Sequence, residues 1–274
     1  MLGKCLKYDI KAILKPWIIA TAILLTMTPI GAICASHIED EMENPNSFPW
    51  PAFGLILFIM CIVAYSVFMT IIVYVRYYKH FFSDEGYLTF TLPVKRKTLY
   101  TSKLINALIW EAVTGTILAI SLIILFAFIP DKEGTMLTSM LASIKEFFSA
   151  ISSFYEVLIL LLVALLIKLS QILTIVAIQL LVTFASVIVK RAKVVVAIAI
   201  GYGMSYVLAI LVMLVGLLIG IIGANGEAIF VNNFSHPMLI VATFLVFACA
   251  LVVFLTVCMI LLSIRLLEKR LNLA

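Results

Sequence analysis

Six long apolar windows, residues 17–36, 51–75, 104–129, 157–189, 194–222 and 238–264, are separated by short polar stretches along the chain. A helix crosses about 30 Å of hydrocarbon with roughly 20 apolar residues, and every window reaches that length. None shows the one-in-two alternation of a barrel strand. Lipid offers the backbone no hydrogen-bond partners, so unbroken windows of this kind close their bonds internally as helices. The pattern predicts an all-α membrane protein with six transmembrane helices. Residues 1–16 follow a different pattern. Lys4, Lys7, Lys11 and Lys15 share one helical face, and Leu2, Cys5, Leu6, Ile10, Ile13 and Leu14 share the other. That spacing predicts an N-terminal amphipathic helix lying in the membrane interface. Asp9 falls inside its apolar face, where a carboxylate needs either a basic residue of segment 76–103 or a path to water.

Composition agrees with the windows. Of 274 residues, 65% are hydrophobic and 12% charged, with a mean hydropathy of +1.23. Soluble domains are about 45–50% apolar and about 25% charged, so a soluble enzyme, a nucleic-acid-binding domain and a disordered regulator are all excluded. The first window is too long for the apolar core of a signal peptide, which runs about 7–15 residues. A lipoprotein reading through Cys34 fails because bulky Ile33 precedes it.

Sorting the few charges by position gives the expected sidedness. Sixteen of the 19 basic residues fall in the N-terminus, segment 76–103, the 190–193 turn and the tail. The alternate loops hold Lys132 and Lys145 against nine acids, among them Glu39, Asp40, Glu41 and Glu43. The positive-inside rule then places both termini in the cytoplasm, as an even number of spans requires. The net charge of +5 is thus a product of topology and not of a nucleic-acid partner.

The motifs of catalysis do not occur. There is no GxxxxGK[ST] phosphate loop, no HExxH and no GxSxG, and the three histidines lie far apart. His37 beside Glu39, Asp40 and Glu41 reads as a solvated acidic loop rather than a metal centre, and no metal site is expected. The five cysteines form no CxxC pair and read as small buried apolar residues. Gly216 and Gly220 have the GxxxG spacing of close helix packing.

Two formal charges lie deep in apolar windows, Glu111 and Lys168. At 1.5 Å per residue, Glu111 sits about 12 Å beyond Lys103 and Lys168 about 33 Å from Lys190, so a mutual salt bridge is not expected. Lys168, Gln171, Gln179 and Ser186 share a sector of one helix, with Gln179 near the depth of Glu111. Buried polarity in a membrane is costly, so Glu111, Lys168, Gln171 and Gln179 are candidates for an intramembrane path or an interface.

Segment 76–103 mixes Tyr77, Tyr78, Phe81, Phe82, Tyr87 and Phe90 with two acids and six basic residues. Aromatics framed by charge are typical anchors at protein interfaces. Ser83 suits a helix cap, Gly86 a break, and Pro93 the first turn of the third span. The run Ser83-Asp84-Glu85-Gly86-Tyr87-Leu88-Thr89-Phe90-Thr91-Leu92-Pro93-Val94, followed by Lys95-Arg96-Lys97 and Ser102-Lys103-Leu104, resembles the segment between spans two and three of ABC-2-type transporter permeases of Gram-positive bacteria. Tyr8-Asp9-Ile10-Lys11 and the six-span plan with an amphipathic start are similar too. The resemblance implies a cytoplasmic coupling helix that docks on a separate ATP-binding subunit through Phe82, Ser83, Asp84, Glu85, Gly86, Tyr87, Leu88, Phe90, Leu92 and Pro93. It also implies ATP and Mg on that partner, no cofactor in this chain, a homodimer or a heterodimer with a sister permease, and the bacterial cell membrane as location. The cargo it implies ranges over peptides, lipids and drugs. The competing expectations are a membrane sensor or immunity component that binds an extracellular peptide without moving it, served by the outer loop 130–156, and an intramembrane enzyme, which the missing motifs oppose.

Overall fold

The computed structural model describes residues 2–38, 49–83, 86, 91, 94–131, 134–151, 154–188, 203 and 237–269. Nearly all of them are helical. The elements are α1 (Leu2–Ser36), α2 (Trp50–Phe82), α3 (Arg96–Phe128), a minimal hairpin of β1 (Pro130–Asp131) and β2 (Gly134–Thr135), α4 (Met136–Ala150), α5 (Phe154–Ile188) and α6 (Pro237–Lys269). Five of these, α1, α2, α3, α5 and α6, are long and apolar enough to cross a membrane. The chain is a membrane-embedded helical protein. The window 194–222, with Gly216 and Gly220, lies outside the described residues, as do Glu39 to Glu43 and the 190–193 turn.

The spanning helices run 33 to 35 residues, about 50 Å at 1.5 Å each, which is longer than the hydrocarbon is thick, so the polar end of each can project beyond it. This corrects two expectations. Residues 2–16 are not a helix separate from the first span. They are the first turns of α1, which continues through Pro16 and Pro29, and Asp9 and Ile13 are buried at 1% exposure. Segment 76–103 is also mostly helix at its edges, because α2 continues to Phe82 and α3 starts at Arg96. The 130–156 loop carries the hairpin and α4.

The chain folds as two compact units. The first comprises Met1–Val73 and Thr101–Ala150, the second Tyr74–Tyr100 and Ile151–Ala274. In the first unit α1 and α3 run parallel in constant register. Asp9 meets Lys103, Trp17 meets Trp110 and Thr28 meets Ser121. α2 runs antiparallel to them, with Tyr65 against Thr21 and Phe58 near Ala35. The core is formed by Ile13, Leu24, Tyr65, Met69 and Trp110, continued by Ala35, Phe58 and Leu125. Gly54 permits the α1–α2 approach, because a Cβ there would overlap Cys34 Sγ.

In the second unit α5 and α6 pack along each other. Cys249 lies against the Leu162 carbonyl toward the start of both helices. At the other end Thr183 of α5 binds Tyr77, Tyr77 neighbours Tyr100, and Tyr100 neighbours Ser263 of α6. Both pairs match early residues with early and late with late, so α5 and α6 are parallel.

Candidate functional site

The segment between α2 and α3 is held at both ends within the second unit. Tyr77, at 2% exposure, bonds Thr183 Oγ1 at 3.0 Å. The Thr183 hydroxyl donates in turn to the Gln179 carbonyl at 2.8 Å, so the Tyr77 hydroxyl is the donor in the first bond. The Tyr77 ring sets its edge on buried Phe81, 5.2 Å between centroids. Phe82 is half-buried and stacks on Tyr78 at 5.9 Å. Beyond it Gly86 N–H donates to the Ser83 carbonyl at 2.7 Å. A Cβ on Gly86 would lie 2.9 Å from the Phe81 carbonyl oxygen, so the chain's return over the end of α2 needs a glycine.

At the far side the Lys95 carbonyl accepts from Thr98 and Leu99 and starts α3. Arg96 Nη1 donates to the carbonyls of Leu267, 2.5 Å, and Glu268, 3.0 Å. These are near the end of the described part of α6, so the guanidinium ties the start of α3 to that helix. One turn further, Tyr100 is fully buried. The segment therefore leaves α2 five residues after a tie to α5 and enters α3 at a residue tied to α6.

Of the expected docking residues, Asp84, Glu85, Tyr87, Leu88, Phe90, Leu92 and Pro93 lie outside the described residues. Ser83 is exposed and Gly86 buried. Tyr77 and Phe81, aromatics of the same segment but not of the expected docking set, are buried at 2% exposure, because α2 continues through them and the Tyr77 hydroxyl bonds α5. The polar stripe of α5 also divides. Gln179 is buried at 1% exposure, and its Oε1 has no hydrogen-bond partner among the described residues. Lys168 and Gln171 are exposed and bond each other at 3.3 Å. Glu111 is exposed on α3. Within the single chain, then, the structure buries Gln179 of the stripe and leaves Lys168 and Gln171 on the surface.

The first unit contains a polar cluster that sequence reasoning located only through Asp9. Lys103 Nζ meets Asp9 Oδ1 at 2.5 Å, with both side chains almost fully buried. One and two turns along α3 from Lys103 stand Asn106 and Trp110, also buried. Asn106 Oδ1 and the indole N–H groups of Trp17 and Trp110 have no partner among the described residues. The rings of Trp17 and Trp110 pack at 5.5 Å. The spacing 103, 106, 110 was the available signal, since it marks one helical face.

Compared with protein-family models, curated proteins and solved structures, the chain matches none. The site therefore rests on its own geometry. A cleft of about 310 Å³ along α1 and α2, lined by Ile19, Ile23, Cys61, Tyr65 and Phe68, has apolar walls suited to an acyl chain. Among the described residues no cluster of three or more histidine, cysteine or acidic side chains suits a metal.

Proposed function

We propose that this chain is the permease subunit of an ATP-binding-cassette transporter, an exporter of peptides, lipids or drugs driven by ATP hydrolysis on a separate subunit. The observation that carries this reading is the double anchorage of segment 83–95. A coupling element must be open to a partner in its middle and fixed to membrane helices at its ends. Here the Tyr77–Thr183 bond joins one end to α5, and the Arg96 bonds to Leu267 and Glu268 join the other to α6. The sequence of that segment, with its resemblance to the coupling region of ABC-2-type permeases, supplies the nature of the partner.

In this reading Glu85, Tyr87, Leu88 and Phe90 dock on the ATP-binding subunit, which holds ATP and Mg. A push on the segment turns α2 and α3 and, through the two ties, α5 and α6. Six crossings complete the bundle. Their support is the parallel course of α5 and α6, which requires the chain between them to return to its starting side. The basic ends of α1, α2, α3 and α6 then face the cytoplasm of a bacterial cell, and a second permease, identical or related, completes the transporter. Gln179 and Thr183 lie on the route from the docking segment into the membrane.

Affinity purification from native membranes in mild detergent tests the reading. The expected result is a nucleotide-binding subunit, identified by mass spectrometry, held in about equal amount to the permease. Glu85→Arg and Tyr87→Ala are expected to release it while leaving the permease in the membrane. A pure chain with no such subunit, or retention unaffected by both changes, contradicts the proposal.

A further inference from the structure

We propose that α4 is a membrane-surface helix whose apolar face lies in the lipid of the leaflet opposite the Asp9–Lys103 end. The inference depends on the helices crossing a bilayer and not on what the protein transports. Residues 141–149 of α4 are all exposed, yet one side of the helix is strongly apolar. Leu141 is 55% exposed, Ile144 47%, Phe147 56% and Phe148 57%. With Met140 they fall within one arc of a 3.6-residue helix, and Thr138, Ala142, Lys145 and Ser149 occupy the opposite arc. So much clustered apolar surface on an otherwise exposed helix calls for an apolar occupant.

The position of α4 selects lipid as that occupant. The hairpin and the bond from Met136 N–H to the Ile129 carbonyl, 2.9 Å, fold the start of α4 back onto the end of α3. The apolar stretch of α3 ends there, so α4 begins level with the hydrocarbon edge. Fifteen residues span about 22 Å, too short to cross about 30 Å of hydrocarbon. Only residues 151–153 separate its end from the apolar helix α5. A helix of this length, attached to spanning helices at both ends and amphipathic, buries its apolar side at the boundary of headgroups and acyl chains. Lys145 on the polar arc then points to the headgroups, and residues 130–156 form a layer on the membrane instead of a loop reaching into water.

Single tryptophans test this in the full chain reconstituted into vesicles containing lipids brominated near the top of the acyl chain. The signal of the parent protein, from Trp17, Trp50 and Trp110, is subtracted. Ile144→Trp and Phe147→Trp are expected to be quenched several-fold more strongly than Ala142→Trp, and Ala142→Trp to respond to iodide in the water. All three positions are exposed, and Phe147→Trp exchanges one aromatic for another, so folding is retained. Equal lipid quenching on both arcs overturns the proposal. So does iodide quenching at 144 and 147, which places the face in water. Protection of 144 and 147 from both quenchers also overturns it, because protein, such as a second copy, then covers the face.

Discussion

At the scale of single residues, the strongest dependence falls on the pair Asp9 and Lys103. Both charges are out of water, and their attraction is spent largely against desolvation. Removing one partner leaves the other buried without its ion pair. Lys103→Met is expected to lower stability by about 3–5 kcal/mol, and the double variant Lys103→Met with Asp9→Leu to recover most of that loss. Thermal unfolding in detergent, followed by tryptophan fluorescence of the Trp17–Trp110 pair, reads both. A double variant no better than the single one contradicts this account. Tyr77→Phe is the subtler change. It removes only the hydroxyl bond to Thr183, worth about 0.5–1.5 kcal/mol, and keeps the ring on Phe81. If the chain is the permease proposed above, a small shift of melting temperature with the ATP-binding subunit still attached, but with transport reduced, is the expected pattern. Full transport in Tyr77→Phe denies that tie its role.

At the scale of elements, the ends of the helices matter more than their middles. The end of α6 as far as Lys269 is tied to the start of α3, because Arg96 donates to the carbonyls of Leu267 and Glu268. Arg96→Gln is expected to fray residues 264–269, with faster amide exchange there and unchanged exchange in the middle of α6. Uniform exchange along α6 in wild type and variant contradicts the tie.

These ends are also where sequence and structure part. The five described spanning helices were legible because hydropathy integrates over some 20 residues. Their extensions were not, since Arg76, Tyr77, Arg96 and Lys97 are polar or aromatic and dilute that average while still lying in helix. Asp9 was legible as a carboxylate in need of a partner, and the partner came from the basic segment expected, but hydropathy gave no means of choosing Lys103 among its cations. The stripe of α5 was legible as a sector but not as a surface. Gln179 is buried on the part of α5 where Tyr77 bonds Thr183, and Lys168 is exposed. α4 is too short and too mixed in polarity for a span, and only its periodicity distinguishes it from a loop.

At the scale of the whole molecule, the chain consists of two helical units that share α2 and α3, with segment 83–95 emerging where both of those helices belong to the second unit. Hydrogen bonds tie the two ends of that segment to α5 and α6, and in the proposed reading these ties carry a push on the segment to both helices. In the proposed permease reading, that arrangement would let a chain with no phosphate-binding loop of its own receive work from an ATP-binding partner. The most direct measurement is vanadate-sensitive ATP hydrolysis by the complex purified through this chain from native membranes. The account predicts such activity with the wild-type chain and its loss with Glu85→Arg at unchanged membrane insertion. A wild-type preparation without ATP hydrolysis, or hydrolysis that persists undiminished with Glu85→Arg, contradicts it.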